Sequence, residues 1–361
     1  MRTSDVGRSA YQAAAAVRNA VAAHAAGADG RARESGAVST PDLASYEHII
    51  VACSFGKDSL ASTLHLLECG VPPERIEWWH HLVDDGADIF DWPHVTDYGR
   101  QLAAALCVTL YFSARQGGIV REMLREDAPT APVWFEAPEG RVTVGGRGPR
   151  NTRRRFPQVS ANLSVRWCSP YAKIMVADTV LRNQARFQNS RTLFITGERA
   201  EESSNRARYA SFEPHRSDLR DGRVRRHVDH WRPVHAWDEA QVWDCLRRHG
   251  VIAPLPYRLG FGRLSCLTCI FMSADQAATL RYMDPARFAR LMAWEREFGC
   301  TIRRDRDLPA LAATGEVFAP VLARPDLVRR ALSPRWRGPV LCAPSRWQMP
   351  TGAFGENAGP V

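Results

Sequence analysis

The alternation of short apolar segments with helical patterns constrains the fold of this chain more than any other feature of the sequence. Strand-like runs lie at residues 49–53, 76–83, 107–112 and 192–196, and helical patterns lie at 58–69, 95–106, 170–183 and 238–249. Short apolar runs between turn residues are typical of buried strands. Strands that alternate with helices build a mostly parallel sheet covered on both faces. The sequence therefore predicts a doubly wound, mostly parallel α/β fold.

Composition divides the chain into four segments. Residues 1–45 are rich in alanine and are expected to form a flexible leader, although their arginines also resemble those of an organellar transit peptide. Residues 46–235 hold the α/β pattern and enclose an arginine-rich insertion at 127–165. A helical region with a Cys-x2-Cys pair occupies 236–335 and gives the fold a cysteine-bearing C-terminal extension. Residues 336–361 are rich in proline and glycine and are predicted to form a tail.

The overall composition is that of a globular protein. The 361 residues are 45% hydrophobic and 24% charged, which suffices for one large core or two smaller ones. No apolar run is long enough to span a membrane, and the first residues lack the apolar block of a secretory signal. We therefore expect a cytoplasmic protein without a membrane partner. The formal net charge of +9 favours anionic partners such as a nucleotide or a nucleic acid.

The sequence Ser-Phe-Gly-Lys-Asp-Ser at residues 54–59 joins the first predicted strand to the first predicted helix. It places backbone N–H groups, a lysine and two hydroxyls at one helix N-terminus, which is a natural site for a phosphate. It is not a Walker A loop, because the first glycine of that motif would fall at Val51, inside the strand. The alternative is a polar turn that only caps the helix. The residues predicted to bind phosphate are Ser54, Phe55, Gly56, Lys57, Asp58 and Ser59.

A second element opens the helix that is predicted from Pro170 onward. Arg166 and Cys168 precede this helix, and Lys173 lies in its first turn. The positive end of a helix dipole lowers the pKa of a nearby thiol, so the sequence predicts a Cys168 thiolate that can bind a metal. The alternative for a lone cysteine is a small buried hydrophobic residue.

A third element, Gly197–Arg206, directly follows the strand at 192–196. Ligands gather beyond the carboxyl ends of the strands in an open α/β sheet, so Arg199 and Arg206 are expected to reach a phosphate. The alternating glutamates and arginines of this segment are also typical of a solvated charged loop.

Five elements, taken in their order along the chain, resemble the phosphoadenosine phosphosulfate (PAPS) reductase-like family and the N-type ATP pyrophosphatases. They are the loop at 54–59, Arg166-Trp167-Cys168 with Lys173, the segment 197–206, Arg232-Pro233-x3-Trp237, and the segment from Tyr257 through Arg263 to Cys266-x2-Cys269. The resemblance covers roughly residues 47–275 and implies an adenine nucleotide alpha-hydrolase-like (HUP) fold. In the family the loop reads Ser-Gly-Gly-Lys-Asp-Ser, so Phe55 departs from it, which is costly if that position needs a positive φ.

The resemblance also implies roles for individual residues. It implies that the loop binds ATP or a PAPS-like adenine nucleotide with Mg²⁺. Catalytic roles are implied for Lys57, Asp58, Cys168 and Arg199. Nucleotide-binding roles beyond the loop are implied for Arg166, Lys173, Gly197, Arg199, Arg206 and Arg263.

The cysteines suggest thiol or metal chemistry, because nine unevenly spaced cysteines do not form the disulfide pattern of a small secreted domain. The spacing of Cys266 and Cys269 lets both sulfurs reach one ion. Cys168 is a third candidate ligand, and Cys300 is a candidate fourth. A four-iron four-sulfur cluster and a zinc ion both accept such ligands, and free redox-active thiols are a further alternative. Relatives with cysteines here, including the DndC-like component of DNA phosphorothioation systems, point towards iron–sulfur.

The function that the resemblance favours is ATP pyrophosphatase chemistry for sulfur transfer, with a donor protein such as a cysteine desulfurase. DNA is a candidate target because the chain is basic and the insertion at 127–165 is rich in arginine, although a solubilising insert is equally compatible. Reduction of PAPS or APS is the second hypothesis, but neither Cys300 nor Cys342 lies in the Glu-Cys-Gly-x-His element of those reductases. A nucleotide-binding regulatory module without turnover is the third.

Overall fold

The computed structural model describes residues 40–355, so residues 1–39 of the predicted leader lie outside the described residues. A single eight-stranded sheet forms the centre of this structure. Its strands are β1 (His48–Ala52), β2 (Ile76–Leu82), β3 (Thr109–Arg115), β4 (Val133–Ala137), β5 (Gly140–Val144), β6 (Arg191–Ile195), β7 (Phe212–Pro214) and β8 (His227–Trp231). Their spatial order is β5-β4-β3-β2-β1-β6-β8-β7.

Helices follow most of the strands and then form the C-terminal part of the structure. The helices are α1 (Lys57–Glu68), α2 (Val95–Leu106), α3 (Gly118–Met123), α4 (Met175–Arg182), α5 (Glu239–Arg248), α6 (Leu255–Arg258), α7 (Ala274–Met283), α8 (Pro285–Phe298), α9 (Leu308–Ala313), α10 (Ala319–Ala323) and α11 (Pro325–Ala331). A π-helical turn, Pro170–Ile174, leads directly into α4. Short 3₁₀ turns lie at Leu43–Ser45, Pro73–Arg75, Ala185–Phe187, Ala200–Glu202, Arg206–Arg208 and Pro344–Arg346.

The centre of the sheet is parallel and its margins are antiparallel. β1 pairs in parallel with β2 and β6, and the same direction continues to β3 on one side and β8 on the other. The hairpin of β4 and β5 and the short strand β7 add antiparallel pairs at the two margins. The predicted mostly parallel α/β fold is therefore confirmed.

Alternate residues of the central strands bury opposite faces of the sheet. Ile49 and Val51 of β1 belong to a large core that also holds side chains of α1, α2 and α5. Ile50 faces the other way and packs with Val176 and Val180 of α4. Complete burial of each such side chain stabilises the fold by about 1.5–3 kcal/mol. Helices on both faces are therefore what these two-sided apolar strands require.

The predicted insertion at 127–165 contributes a β-hairpin to the sheet. Val133 and Phe135 of β4 are buried, whereas most of β5 is exposed at the edge of the sheet. β8 likewise lies in a stretch whose sequence is polar. Its Asp229 can be buried because the carboxylate accepts a hydrogen bond from the Tyr46 hydroxyl. Both segments form strands because tertiary partners cover polar or half-exposed side chains.

The described part of the predicted tail packs into the fold. Trp336, Val340 and Leu341 are buried and belong to the same core as α1 and α2. Leu341 also forms an isolated β-bridge with Val251. These three apolar side chains attach the proline-rich segment to the core. The composition of the segment did not predict this packing. Between residues 40 and 355, none of the helices combines the length and the apolar character that a membrane crossing requires.

Candidate functional site

Two of the predicted elements meet where the order of the strands reverses. From β1 the chain passes to β2 on one side, and β6 lies on the other side of β1. Such a switch point opens a crevice beyond the carboxyl ends of the strands, where ligands of open α/β sheets bind. The loop at 54–59 follows β1 and the segment Gly197–Arg206 follows β6, so both lie at this edge.

Gly197 lets the segment after β6 contact the first turn of α1. A Cβ atom at this position would lie 2.8 Å from the carbonyl carbon of Asp58 and 2.9 Å from the backbone nitrogen of Ser59. Contacts between backbone atoms cannot be relieved by turning a side chain, so any residue other than glycine would push the two elements apart. Gly197 is therefore required for the close approach of the segment after β6 to α1. This requirement could not be inferred from the position of Gly197 in the sequence.

Phe55 adopts the left-handed conformation, with a φ of 61°. This conformation costs a non-glycine residue about 1–2 kcal/mol. The Phe55 ring is fully buried and stacks on His80 with 4.5 Å between the ring centroids. It also lies over Gly99 of α2, where a Cβ atom would come within 2.1 Å of the ring. Burial of the ring offsets the strain, so the departure from the family's glycine is accommodated by a pocket in α2.

The rest of the loop forms a compact turn at the N-terminus of α1. Ser54 is exposed, and its hydroxyl accepts a long hydrogen bond of 3.4 Å from the backbone nitrogen of Gly56. The Ser59 hydroxyl donates to the Gly56 carbonyl over 3.0 Å. Gly56 is the N-cap residue and has no side chain with which to cap the helix. The arrangement offers an anion a helix N-terminus beside an exposed hydroxyl.

Lys57 lies beneath the loop rather than at its rim. Its side chain is buried, and its ammonium donates to the Gly262 carbonyl over 3.1 Å and lies 3.6 Å from a carboxylate oxygen of Glu239. Burial disfavours the ammonium, but Tyr257, Asp58 and Glu239 together outweigh burial and raise the pKa of Lys57. A phosphate contact would require the ammonium to leave these partners. The predicted catalytic role of Lys57 therefore stays a prediction.

Asp58 and Arg199 form an ion pair that joins α1 to the segment after β6. The Nε atom of Arg199 lies 2.6 Å from Oδ1 of Asp58, and the Arg199 side chain is only 2% exposed. Arg199 also pairs with Glu201. Burial lowers the pKa of Arg199, but the neighbouring carboxylates outweigh it, so the pKa is raised and the charge is retained. The structure thus brings two of the predicted catalytic residues into direct contact.

Glu202 holds two further arginines of the predicted site, Arg206 and Arg263. It pairs with Arg206, and one of its oxygens lies 3.5 Å from the guanidinium of Arg263. Its other contact is with the backbone nitrogen of Arg199, which donates to it over 2.9 Å. Glu202 therefore gathers side chains from two separate segments of the sequence. No role for Glu202 was predictable from the sequence, because its partners come together only in the folded chain.

Three of the predicted metal-binding cysteines lie in one neighbourhood. Cys168, Cys266 and Cys269 are each half-buried, and each of the first two feels the charge of Cys269. Burial and Cys269 raise the pKa of Cys168 to about 11, against the opposing influence of Lys173. The predicted lowering of the Cys168 pKa is therefore wrong, because burial and Cys269 outweigh the influence of Lys173. The three sulfurs do not all lie within 4.8 Å of one another.

Lys173 is exposed, and the described residues offer it no carboxylate within ion-pair distance. Its positive charge lowers the pKa of Cys168 and of Cys266, against the larger effect of burial. Arg166 stands beside the same thiols, and two of its guanidinium nitrogens are buried without a hydrogen-bond partner among residues 40–355. The two cations of this predicted element are thus available to an anionic ligand.

Cys300 lies elsewhere. It lines a separate cavity of about 260 Å³ next to α8, together with Met292 and Asp307, and the lining of that cavity includes none of the other three cysteines. Its predicted role as a fourth metal ligand therefore gains no support from its surroundings.

A loop after β2 positions the Cys-x2-Cys element and was missed in the sequence. The buried carboxylate of Asp84 accepts hydrogen bonds from the backbone nitrogens of Ile89, Phe90 and Asp91 over 2.6–2.9 Å. This loop in turn accepts hydrogen bonds from the backbone of Leu267 and the hydroxyl of Thr268, over 2.7 and 3.0 Å. The two consecutive aspartates that follow β2, Asp84 and Asp85, are the feature of the sequence from which this loop could have been predicted.

Comparison with known proteins identifies a domain that covers the downstream elements. Residues 147–272 match the family model of the phosphoadenosine phosphosulfate reductase domain. A search of curated proteins found no match to the chain. The matched range contains Cys168, Arg199 and the Cys266-x2-Cys269 pair, whereas the loop at 54–59 precedes it. Residues 147–272 therefore resemble a phosphoadenosine phosphosulfate reductase domain, in agreement with the motifs of this part of the chain.

Proposed function

We propose that the chain is an enzyme that binds ATP or a related adenine nucleotide at the crevice between β1 and β6 and uses it to transfer sulfur. The observation that carries this proposal is the Asp58–Arg199 pair, which joins the phosphate loop to the family domain at the carboxyl edge of the sheet. An exposed hydroxyl, Ser54, stands at the same helix N-terminus. Half-buried thiols and the free ammonium of Lys173 lie within the matched domain.

The nucleotide phosphates would be bound by the N-terminus of α1 and by the arginines around Glu202. Arg199, Arg206 and Arg263 are already held in place by carboxylates. A triphosphate carries more charge than a carboxylate and forms strong charge-assisted bonds to guanidinium groups. The phosphates would therefore compete with Glu201 and Glu202 for these arginines, whose positions need little change.

In the reaction, an oxygen of the acceptor attacks the α-phosphorus of ATP and displaces pyrophosphate. Hydrosulfide, released from the persulfide of a donor protein by a thiol reductant, then attacks the activated atom of the acceptor. The bond from that atom to the adenylate oxygen breaks, AMP leaves, and sulfur stands in place of the oxygen. The arginines would stabilise the charge that develops on the phosphates. Mg²⁺ bound with the triphosphate supplies further charge stabilisation, and the partly exposed Asp58 carboxylate is the group of the loop that would hold it.

The thiol group fits an iron–sulfur cluster better than a zinc ion. A tetrahedral zinc ion sets its thiolates about 3.8 Å apart, from a zinc–sulfur bond of about 2.3 Å. At least one pair among the sulfurs of Cys168, Cys266 and Cys269 is spaced more widely than that, since the three do not all lie within 4.8 Å of one another. These three residues would hold a four-iron four-sulfur cluster, which supplies sulfur or electron chemistry when bound.

DNA is the proposed acceptor because of the net charge, although the insertion contributes fewer free cations than its sequence suggests. Four of its six arginines pair with carboxylates of the fold; they are Arg141, Arg150, Arg153 and Arg154. Arg147 and Arg155 are exposed and have no such pair within residues 40–355. A DNA contact would therefore centre on these two residues.

The decisive experiment measures pyrophosphate release from ATP by anaerobically purified protein. Asp58→Ala is expected to lower the rate by about a hundredfold or more, because the mutation removes the carboxylate and frees Arg199. Asp326→Ala is the matched control, since Asp326 lies in an exposed pair with Arg324 far along the chain. Pyrophosphate release that is equal in Asp58→Ala and wild type would overturn the site assignment.

A second candidate function follows from the matched domain, which is named for PAPS reduction. It predicts sulfite release from PAPS with a thiol donor and no pyrophosphate release from ATP. A nucleotide that raises the melting temperature without either product would instead indicate a binding module without turnover.

A further inference from the structure

A second group of metal-ligating side chains lies at the end of α1 that is remote from the phosphate loop. Glu68 is the last residue of α1, Cys245 lies in α5, and His249 directly follows α5. One ligand atom from each of these residues lies within 4.8 Å of the other two. Cys245 and His249 are buried, and Glu68 is partly buried. Sulfur, nitrogen and oxygen ligands therefore converge between two helices.

The geometry of the two helices brings this group together. Cys245 and His249 are four residues apart, so they lie on the same side of α5. Lys57 contacts Glu239 at the N-terminal ends of α1 and α5, and Glu68 contacts His249 at their C-terminal ends, so the helices run side by side in the same direction. At about 1.5 Å per residue, Glu68 lies about 16 Å along α1 from Lys57. The group is thus separate from the proposed nucleotide site.

One ring nitrogen of His249 contacts Glu68 of this group, and the other ring nitrogen is unpartnered among residues 40–355. Its Nε2 atom lies 3.0 Å from Oε1 of Glu68, whereas its Nδ1 atom is buried and has no hydrogen-bond partner among residues 40–355. Buried polar atoms without partners are rare in folded proteins and call for an explanation such as an ion. The His249 ring can offer an ion one nitrogen and keep the other for a neighbour, as metal-bound histidines commonly do.

A positive charge next to the group does not prevent a cation from binding. Arg248 donates to Oε1 of Glu68 over 2.8 Å and would compete with a metal for that carboxylate. Arg248 also pairs with Asp244, so it keeps an anionic partner if Glu68 turns to an ion. His65 lies on the other side of Glu68, with its Nδ1 atom 3.8 Å from Oε2, and is the nearest candidate for a further ligand.

We propose that Glu68, Cys245 and His249 form a structural binding site for a zinc-like divalent transition metal. Thiolate, imidazole and carboxylate are the three ligand types that zinc accepts in proteins. The bound ion would tie the C-terminal ends of α1 and α5 together. Since the N-terminus of α1 forms the phosphate loop, the ion would also stabilise the helix on which that loop is built.

The test uses the full chain after removal of metals with a chelator. Zn²⁺ is titrated and counted per chain, the melting temperature is measured with and without Zn²⁺, and Co²⁺ serves as a spectroscopic probe of cobalt–thiolate bonds. Wild type is expected to bind Zn²⁺ with a rise in melting temperature. His249→Ala and Cys245→Ser are expected to weaken this binding at least about tenfold and to abolish the rise. Cys107→Ser, which changes an exposed cysteine at the C-terminal end of α2, is expected to behave like wild type.

A Cys266→Ser variant separates this site from the thiols of the proposed function. Retention of the Zn²⁺-dependent rise in Cys266→Ser, together with its loss in His249→Ala, supports the new site whatever the enzyme's activity proves to be. If Cys266→Ser loses all metal binding while His249→Ala and Cys245→Ser keep it, the proposal is overturned. If His249→Ala fails to fold, Glu68→Gln is used instead, because glutamine keeps the size of the side chain and one oxygen acceptor. Unchanged zinc affinity in both Glu68→Gln and Cys245→Ser would then refute the site.

Discussion

The two ends of α1 are both held by charged side chains, but they are organised differently. At the N-terminal end, Asp58 pairs with Arg199 across the crevice between β1 and β6, next to the exposed Ser54. At the C-terminal end, Glu68 binds His249 and Arg248, and the buried Nδ1 atom of His249 has no hydrogen-bond partner in the described part of the chain. One end thus lies beside an exposed hydroxyl at the edge of the sheet, whereas the other is enclosed between helices. The position of the charges relative to the sheet, rather than their number, separates the proposed nucleotide site from the proposed metal site.

The largest effect is expected at the N-terminal end. Arg199→Ala removes the buried partner of Asp58 and should lower the free energy of unfolding by about 3 kcal/mol, because the partly buried carboxylate then keeps the longer, 3.9 Å pair with Lys57 in place of the close pair with Arg199. Chemical denaturation measures the loss. Arg324→Ala, which breaks an exposed pair with Asp326, is the control and should leave stability unchanged. Equal stabilities of the two variants would show that the Asp58–Arg199 pair does not hold α1.

A smaller effect is expected where the backbones of the two elements touch. Gly197→Ala places a methyl group 2.8 Å from the Asp58 carbonyl carbon and should cost about 1–3 kcal/mol through backbone displacement. Gly148→Ala is a matched control, because a Cβ atom at Gly148 meets no atom within 4 Å. If Gly197→Ala also weakens nucleotide binding while Gly148→Ala does not, the close approach serves the site as well as the fold. Equal melting temperatures of the two variants would contradict the contact.

A third prediction concerns the protonation of His94 and its effect on the stability of the fold. His94 precedes α2 and is fully buried, and burial lowers its pKa from 6.5 to about 4 although its ring also contacts the Ala331 carbonyl. Between pH 6.5 and about 4 the unfolded chain therefore binds a proton at His94 that the folded chain does not bind. The contribution of neutral His94 to the free energy of unfolding is fully present above pH 6.5 and is lost as the pH falls towards 4. The slope is about 1.4 kcal/mol per pH unit in this window. Denaturation of wild type and His94→Gln at pH 7 and pH 5 should reveal a steeper loss in wild type; parallel curves would contradict it.

The smallest effect is expected at the C-terminal end of α1. Arg248→Ala removes one of the partners of Glu68, but the guanidinium is partly exposed and Glu68 keeps His249. The loss of stability should be only about 0.2–1 kcal/mol, as for other solvent-screened pairs. Freed from Arg248, Glu68 should bind Zn²⁺ at least as tightly as in wild type, which a zinc titration measures. A large loss of stability in metal-free Arg248→Ala would contradict this prediction, because it would show that the C-terminal end of α1 contributes as much to stability as the Asp58–Arg199 pair.

Local patterns in the sequence determined the central elements of the fold. The helix predicted over 95–106 is observed as Val95–Leu106, and the capping box predicted from Asp238 to Gln241 is present at the start of α5. Apolar periodicity and caps act over a few residues, so they can be recognised without knowledge of the fold. The position of the loop at 54–59 between β1 and α1 was predictable for the same reason.

Only the tertiary structure decided which side chains meet. The contacts of Lys57 with Glu239, of Glu202 with Arg263, and of Glu68 with His249 join residues that are far apart in the sequence. No local pattern specifies such a pair, because its geometry depends on how whole helices and strands pack. The same reason explains why β5 and β8 were missed, since their polar or exposed side chains acquire strand pairing only from neighbours in the sheet.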